Sequence, residues 1–105
     1  MFEHYKLDDE NNPIPCSIRE WGEMYRGEES NKRRKVANDL MDDYEISTVF
    51  TGYDMGYEDK LLLFETMVFN KGNEIYVERC GTWQEAENMH KKAIQWIKDG
   101  CKDEE

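Results

Sequence analysis

The sequence predicts an α+β fold: a mostly antiparallel β-sheet meander with two helices packed on one face, in a single domain spanning residues 1–105. Two observations carry this. In the stretch Ile46 to Phe69, ISTVFTGYDMGYEDKLLLFETMVF, two β-branched and aromatic runs flank a loop with two glycines and three acids, as in an antiparallel strand pair. Elsewhere, Ser17–Glu20 and Thr82–Glu85 have the spacing of capping boxes, and each opens a run of apolar residues at helical period.

Bulk properties bound the rest. A chain of 105 residues builds one hydrophobic core. Charged residues make up 36%, yet 12% aromatics with three Trp supply the large side chains that disordered chains lack. A formal net charge of −10 sets a repulsive field against nucleic acid and favours solubility; it suits a basic protein partner or imitation of nucleic acid. Cys16, Cys80 and Cys101 are widely spaced without a C-x-x-C, and with two histidines they form neither a zinc pattern nor a disulfide framework. Reduced thiols in the cytoplasm are the expectation. The N-terminal MFEHYKLDDE lacks an apolar leader core and no apolar run approaches a membrane span, so neither secretion nor membrane insertion is expected.

Taken in order, Tyr5-Lys6-Leu7, the turn-forming DDENN and Pro13-Ile14-Pro15 predict a short edge strand or hairpin, because the prolines exclude a central strand. A first helix follows from about Ile18 to Arg26, with Ile18, Trp21 and Tyr25 on one face and Gly27 as its stop. Residues 28–45 fit either a short amphipathic helix, through Val36, Ala37, Leu40 and Met41, or an extended edge strand turning at Asp42-Asp43. The basic run Lys32-Arg33-Arg34-Lys35 reads as a solvated turn or as a nucleic-acid patch. Strands Glu45–Thr51, Leu61–Phe69 and Glu74–Cys80 then form a three-stranded meander, the last two joined at Asn70-Lys71-Gly72-Asn73. From Trp83, Ala86, Met89, His90, Ala93, Ile94, Trp96 and Ile97 make the apolar stripe of the final helix, with Gly100 just beyond it. The tail, residues 101–105, is expected to fray.

The Leu61–Phe69 strand does not alternate. Leu62, Phe64, Thr66 and Val68 point one way, and Leu61, Leu63, Glu65, Met67 and Phe69 the other, so both faces need cover. Two helices cover one. The second face, with Leu61, Leu63, Met67 and Phe69 as candidate interface residues, is left for a homo-oligomer packing sheet on sheet or for another protein, unless residues 28–45 and the N-terminus fold back over it.

Polar residues in awkward places are the candidate binding set: Ser47, Thr48, Asp54, Glu65, Thr66 and His90. Glu65, between apolar neighbours, needs a partner such as Arg79, Ser47 or Thr48, or else serves as an acid/base group or ligand anchor. His90 on the apolar stripe is either a satisfied core residue or a ligand. If the helix packs beside them, Ser47, Thr48, Glu65, Thr66 and His90 converge on a small polar pocket. Asp54, Glu58 and Asp59 lack the spacing of a calcium loop. No nucleophile elbow, phosphate loop, metal-ligand spacing or cofactor motif is present, and no catalytic residue is assigned.

Ile46-Ser47-Thr48-Val49-Phe50 with Gly52 and Asp54, Leu63-Phe64-Glu65-Thr66-Met67-Val68-Phe69, and Thr82-Trp83 with Glu85, Ala86 and His90 resemble a group of small, functionally uncharacterised proteins of bacteriophages and prophages. The resemblance runs from Tyr5 to about Ile97. In that group a segment matching Arg34-Lys35-Val36-Ala37 leads by a short turn into the ISTVF strand, which favours the extended reading there; the Asn-containing, basic stretch Glu28–Lys32 departs from it. The resemblance implies an accessory protein of the bacterial cytoplasm acting by binding, either to a host protein or defence component or to a small signalling ligand held between protomers. A small hydrolase using Glu65 and His90 is the third possibility.

Overall fold

Residues 4–54 and 60–101 are described by the computed structural model. Its elements are β1 (Tyr5–Leu7), β2 (Pro13–Pro15), α1 (Ile18–Glu23), α2 (Glu28–Arg33), β3 (Lys35–Met41), β4 (Tyr44–Phe50), β5 (Phe64–Asn70), β6 (Asn73–Cys80) and α3 (Trp83–Lys98). The fold is α+β, with an antiparallel four-stranded sheet in the order β3-β4-β5-β6 beside the two-stranded β1-β2 hairpin.

Turn chemistry sets the registers. Met41 pairs with Tyr44 across Asp42, whose φ is 54°, and Asn70 pairs with Asn73 across Lys71 and Gly72, at φ 52° and 85°. Positive φ at both central residues, as at Lys71-Gly72, is the type I′ geometry that matches strand twist. In the β1-β2 hairpin, the Asp8 carboxylate accepts from the Glu10 and Asn12 amides at 2.8 and 2.9 Å, the local bonding that places aspartate in turns. The meander therefore has four strands where three were expected. The extended reading of the segment before Asp42 holds for Lys35–Met41, whereas Glu28–Arg33 forms a helical turn and a half ahead of it.

Alternation then sorts the side chains. Ile46, Thr48 and Phe50 of β4 and Phe64, Thr66 and Val68 of β5 point toward α3, and all six are 0% exposed. α3 meets them with Ala86, Met89, His90 and Ala93, two alanines letting the helix axis approach the sheet closely. Thr82 caps it by accepting from the Glu85 amide at 3.1 Å. At the other end Gly100 and Cys101 donate to Ile97 and Trp96 carbonyls at 3.0 and 2.8 Å, the paired bonds of a Schellman stop.

The end of the sheet near Phe50 is closed by the N-terminal segment. Tyr5, Phe50, Leu63, Phe64 and Ala86 form one buried cluster, joined by Leu7, Met24, Val36 and Trp83. α1 is fixed by the predicted capping box at Ser17–Glu20 and by Trp21, whose indole donates to the Thr51 carbonyl at 2.9 Å. It is shorter than expected, and Ile18, placed on its buried face by spacing alone, is 68% exposed. Once the helix ends at Glu23, the residues that reach the core are Trp21 and Met24, and Ile18 lies a turn away from them.

The strand expected from Leu61 starts at Phe64. Leu63 is correspondingly not an interface residue: it is 0% exposed within the Tyr5 cluster, its amide bonded to the Cys80 carbonyl and its carbonyl to the Thr51 amide. Alternation counted back from Met67 fails there because Leu63 lies outside the regular ladder and under the N-terminal segment. Leu61, 44% exposed, also precedes the strand.

Gly52 is where these parts meet. Its φ is 71°, its carbonyl accepts from the Tyr5 amide at 2.7 Å, and a Cβ there would lie 2.6 Å from the Tyr5 carbonyl oxygen. Left-handed strain and backbone overlap together set the cost of Gly52→Ala at about 3 kcal/mol or more. Gly27→Ala, at φ 77° with nothing within 4 Å of the new methyl, should cost only about 1–2 kcal/mol. Denaturant unfolding of both variants checks the ranking, and equal losses would refute the role given to the Gly52 contact.

Candidate functional site

Thr48 and Thr66 sit opposite one another in the β4-β5 register, with their hydroxyl oxygens 2.5 Å apart. Thr48 Oγ1 is also 2.7 Å from His90 Nδ1, and His90 Nε2 is 2.7 Å from Asp39 Oδ2. Asp39 reaches this position because β3 alternates, placing Ala37, Asp39 and Met41 beside Thr48, Ile46 and Tyr44 on the α3 side. A carboxylate only accepts, so Nε2 carries the proton of the neutral ring and Nδ1 accepts from Thr48, which in turn accepts from Thr66. Every buried polar side-chain atom among the described residues has a partner.

In outline this is a hydroxyl–imidazole–carboxylate series, yet it has no access. Thr48 and Thr66 are 0% exposed and His90 is 4% exposed, while only Asp39 reaches water. A reacting carbon has nowhere to sit beside Thr48. The series instead fastens α3 across three strands.

The five residues expected to form a polar pocket are thus divided. Thr48, Thr66 and His90 meet in the core. Ser47 and Glu65 have the opposite parity and lie on the far side of the sheet, Glu65 bonded to Arg79 Nη2 at 3.0 Å and Nε at 3.1 Å. Glu65 and His90, the acid and base of the hydrolase reading, are separated by the sheet itself. Asp54 follows Tyr53, which forms an isolated bridge with His4. Glu58 and Asp59 fall outside the described residues, and among the described residues no cluster of ligands suits a metal ion. Asp39 escaped the sequence reading because its segment was open between helix and strand; an acid with core-facing parity on an edge strand was the available signal.

The far side of the sheet is the second candidate. Val49, Met67 and Phe69 are half-buried there, Leu40, Ile75 and Val77 are 77, 41 and 36% exposed, and α3 is on the opposite face. Among the described elements, α1 packs against β1 and α2 against β3, so neither helix lies across β4, β5 and β6. One end of this face carries Lys35, Glu65 and Arg79, and the other Glu45 and Glu74. Beside the first end, Arg34 stacks 4.1 Å over Tyr25, whose hydroxyl is pushed above its ordinary pKa by burial, the Arg34 charge opposing the shift and Glu65 adding to it. An apolar centre with Met, Phe, Tyr and Arg about it has the make-up of a protein interface.

A third feature is a cavity of about 490 Å³ between the β1-β2 hairpin, α1 and α2. Its cations already have protein partners: Lys6 pairs with Glu20 at 2.5 Å, Arg33 bonds the Asn11 side chain and the Asp8 carbonyl, and Arg34 bonds the Phe50 carbonyl at 2.8 Å. With Glu23 and Glu29 also in its walls, it offers an anion little. Of the basic run Lys32–Lys35, Arg33 and Arg34 are spent on these tethers.

No protein-family model matches the chain, and comparison with curated proteins and with solved structures likewise gave no match.

Two outcomes follow from the core geometry. Thr48→Val leaves His90 Nδ1 without its donor and should cost about 1–3 kcal/mol, with a coupling above about 0.5 kcal/mol to His90→Leu in a double-mutant cycle of unfolding free energies. Additive losses would contradict the bonded series. Burial, and then the charge of Glu85, push the Cys80 thiol up to about 11 from an ordinary value of 9.0. Ionisation of a thiol whose pKa is raised on folding favours the unfolded chain. Between about 9 and 11 the folded chain holds the proton that the unfolded chain has released, so stability should fall as pH rises through that range and fall less in Cys80→Ala. Unfolding midpoints across that alkaline range check it; identical slopes would contradict it.

Proposed function

We propose that this chain is a phage-type accessory protein that acts by binding, a non-catalytic inhibitor of a bacterial host protein or defence component, and that it binds through the open face of β3–β6. The observation that carries the reading is that face itself: an apolar, aromatic-edged sheet surface opposite α3. A contiguous exposed patch of this kind costs solubility unless something covers it. The net charge of −10 offsets that cost and disfavours nucleic acid as the direct partner.

The division of the polar residues also favours a binder over an enzyme. His90 and the threonines are consumed in the core, and Glu65 is neutralised by Arg79. Small-ligand sequestration loses its pocket for the same reason. The cytoplasm of the bacterial host is the proposed place of action, and among the described residues no helix is long and apolar enough to cross a membrane.

The test is affinity capture from phage-infected or prophage-bearing cells with wild-type protein, Met67→Glu and Val77→Glu, and a Lys91→Glu control on the outer side of α3. A specific host protein should be retained by wild type and by the control and lost, by tenfold or more, with both face variants. Retention of the same protein by the face variants would remove the sheet surface from the mechanism.

A further inference from the structure

The open face has a polarity along its strands that bears on what covers it when no target is present. Strand direction places Lys35, Glu65 and Arg79 at one end and Glu45 and Glu74 at the other. The end with Lys35 and Arg79 is net positive and the other is net negative, and the turns closing that second end add Asp42, Asp43 and Lys71. Across the whole face two bases stand against three acids, which leaves −1 of the chain's −10. The rest of the negative charge lies outside these strand faces, chiefly in Glu3 and Asp8-Asp9-Glu10, in Asp42-Asp43, in the stretch with Asp54, Glu58 and Asp59 and in the C-terminal tail, while α1, α2 and α3 together sum to zero.

We propose that a second copy of this chain caps the open face, sheet on sheet, with strand directions reversed between the two copies. This deepens the reading of that face as a binding surface and rests on it: self-association holds the surface covered until a target competes for it. A twofold axis lying between the sheets and perpendicular to the strands turns each face onto the other and sets β6 over β6. Arg79 then meets Glu74 of the second copy, and Lys35 approaches Glu45 of the second copy, each contact made twice. The Met67, Val77 and Ile75 side chains interdigitate at the centre, as in aligned sheet packing.

The size of the face sets the strength. Four strands spaced about 4.8 Å apart, with some seven residues of about 3.3 Å each, give a footprint of roughly 19 by 23 Å. Side-chain relief brings two such faces to the low end of specific interfaces, on the order of 1,000 Å² buried in total, which suits a reversible dimer and not an obligate one. A reversible cap is what a competing target requires.

Sedimentation equilibrium of the full chain from about 1 to several hundred micromolar, at low and high salt, tests this. Wild type is expected to pass from monomer to dimer, with weaker association at high salt. Glu74→Arg and Arg79→Glu, each shown folded by its thermal transition, should each weaken self-association tenfold or more. Mixing the two variants should restore a dimer of wild-type strength, because the native Arg79 of the first then faces the native Glu74 of the second, and the two introduced side chains, a base and an acid, face each other. A wild type that stays monomeric throughout, single variants that dimerise like wild type, or a mixture that fails to recover would each overturn the proposal. Capture of a host protein by a strictly monomeric wild type would overturn the cap and leave the binding reading standing.

Discussion

One long helix has to serve a sheet with two apolar sides, and most of the molecule's character follows from that shortage. A helix with its side chains is about 10 Å across, the width of two strands. α3 accordingly lies over β4 and β5, whose inward residues are fully buried. It reaches the flanking strands by its edges, through His90 to Asp39 on β3 and through Lys92 to Glu78 and Trp96 to Tyr76 on β6. The short helices do not make up the difference, because the N-terminal segment is committed to closing the sheet end around Tyr5, Phe50 and Leu63. Nothing comparable crosses the far side among the described elements.

Placing polar atoms under α3 has a consequence of its own. Two threonines and a histidine in the middle of a core give up apolar packing and bring a desolvation cost, which their mutual bonds offset only if every one of them is made. In return the helix has a single register on the sheet, since a shift by one residue would strand His90 and both hydroxyls. Specificity of packing, not chemistry, is what this series supplies. The residues that looked most reactive in sequence are the ones most withdrawn from solvent.

How much of this was legible beforehand depends on which physical signal each element carries. The β4-β5 pairing, the type I′ turn at Lys71-Gly72 and the extent of α3 rest on local propensity and capping, so the sequence displays them directly. The extra strand Lys35–Met41 was ambiguous because its apolar residues fit either period, and pairing with β4 decided it. Leu63 and Ile18 were misplaced for a related reason: spacing gives a face only while the element lasts, and both elements are shorter than their apolar runs. The Glu65–Arg79 pair followed from strand register, whereas Asp39 meeting His90 is a long-range contact that no local pattern encodes.

The most direct measurement of the open face is thiol labelling of two adjacent positions on β5 in a background with Cys16, Cys80 and Cys101 replaced by serine. Met67→Cys and Thr66→Cys differ by one residue and by which side of the sheet they face. At submicromolar protein, Met67→Cys should react many times faster than Thr66→Cys, which reacts only as fast as the whole fold opens. Equal protection of both sites at that dilution would mean that the chain covers its own second face, and the surface assigned to binding would not exist.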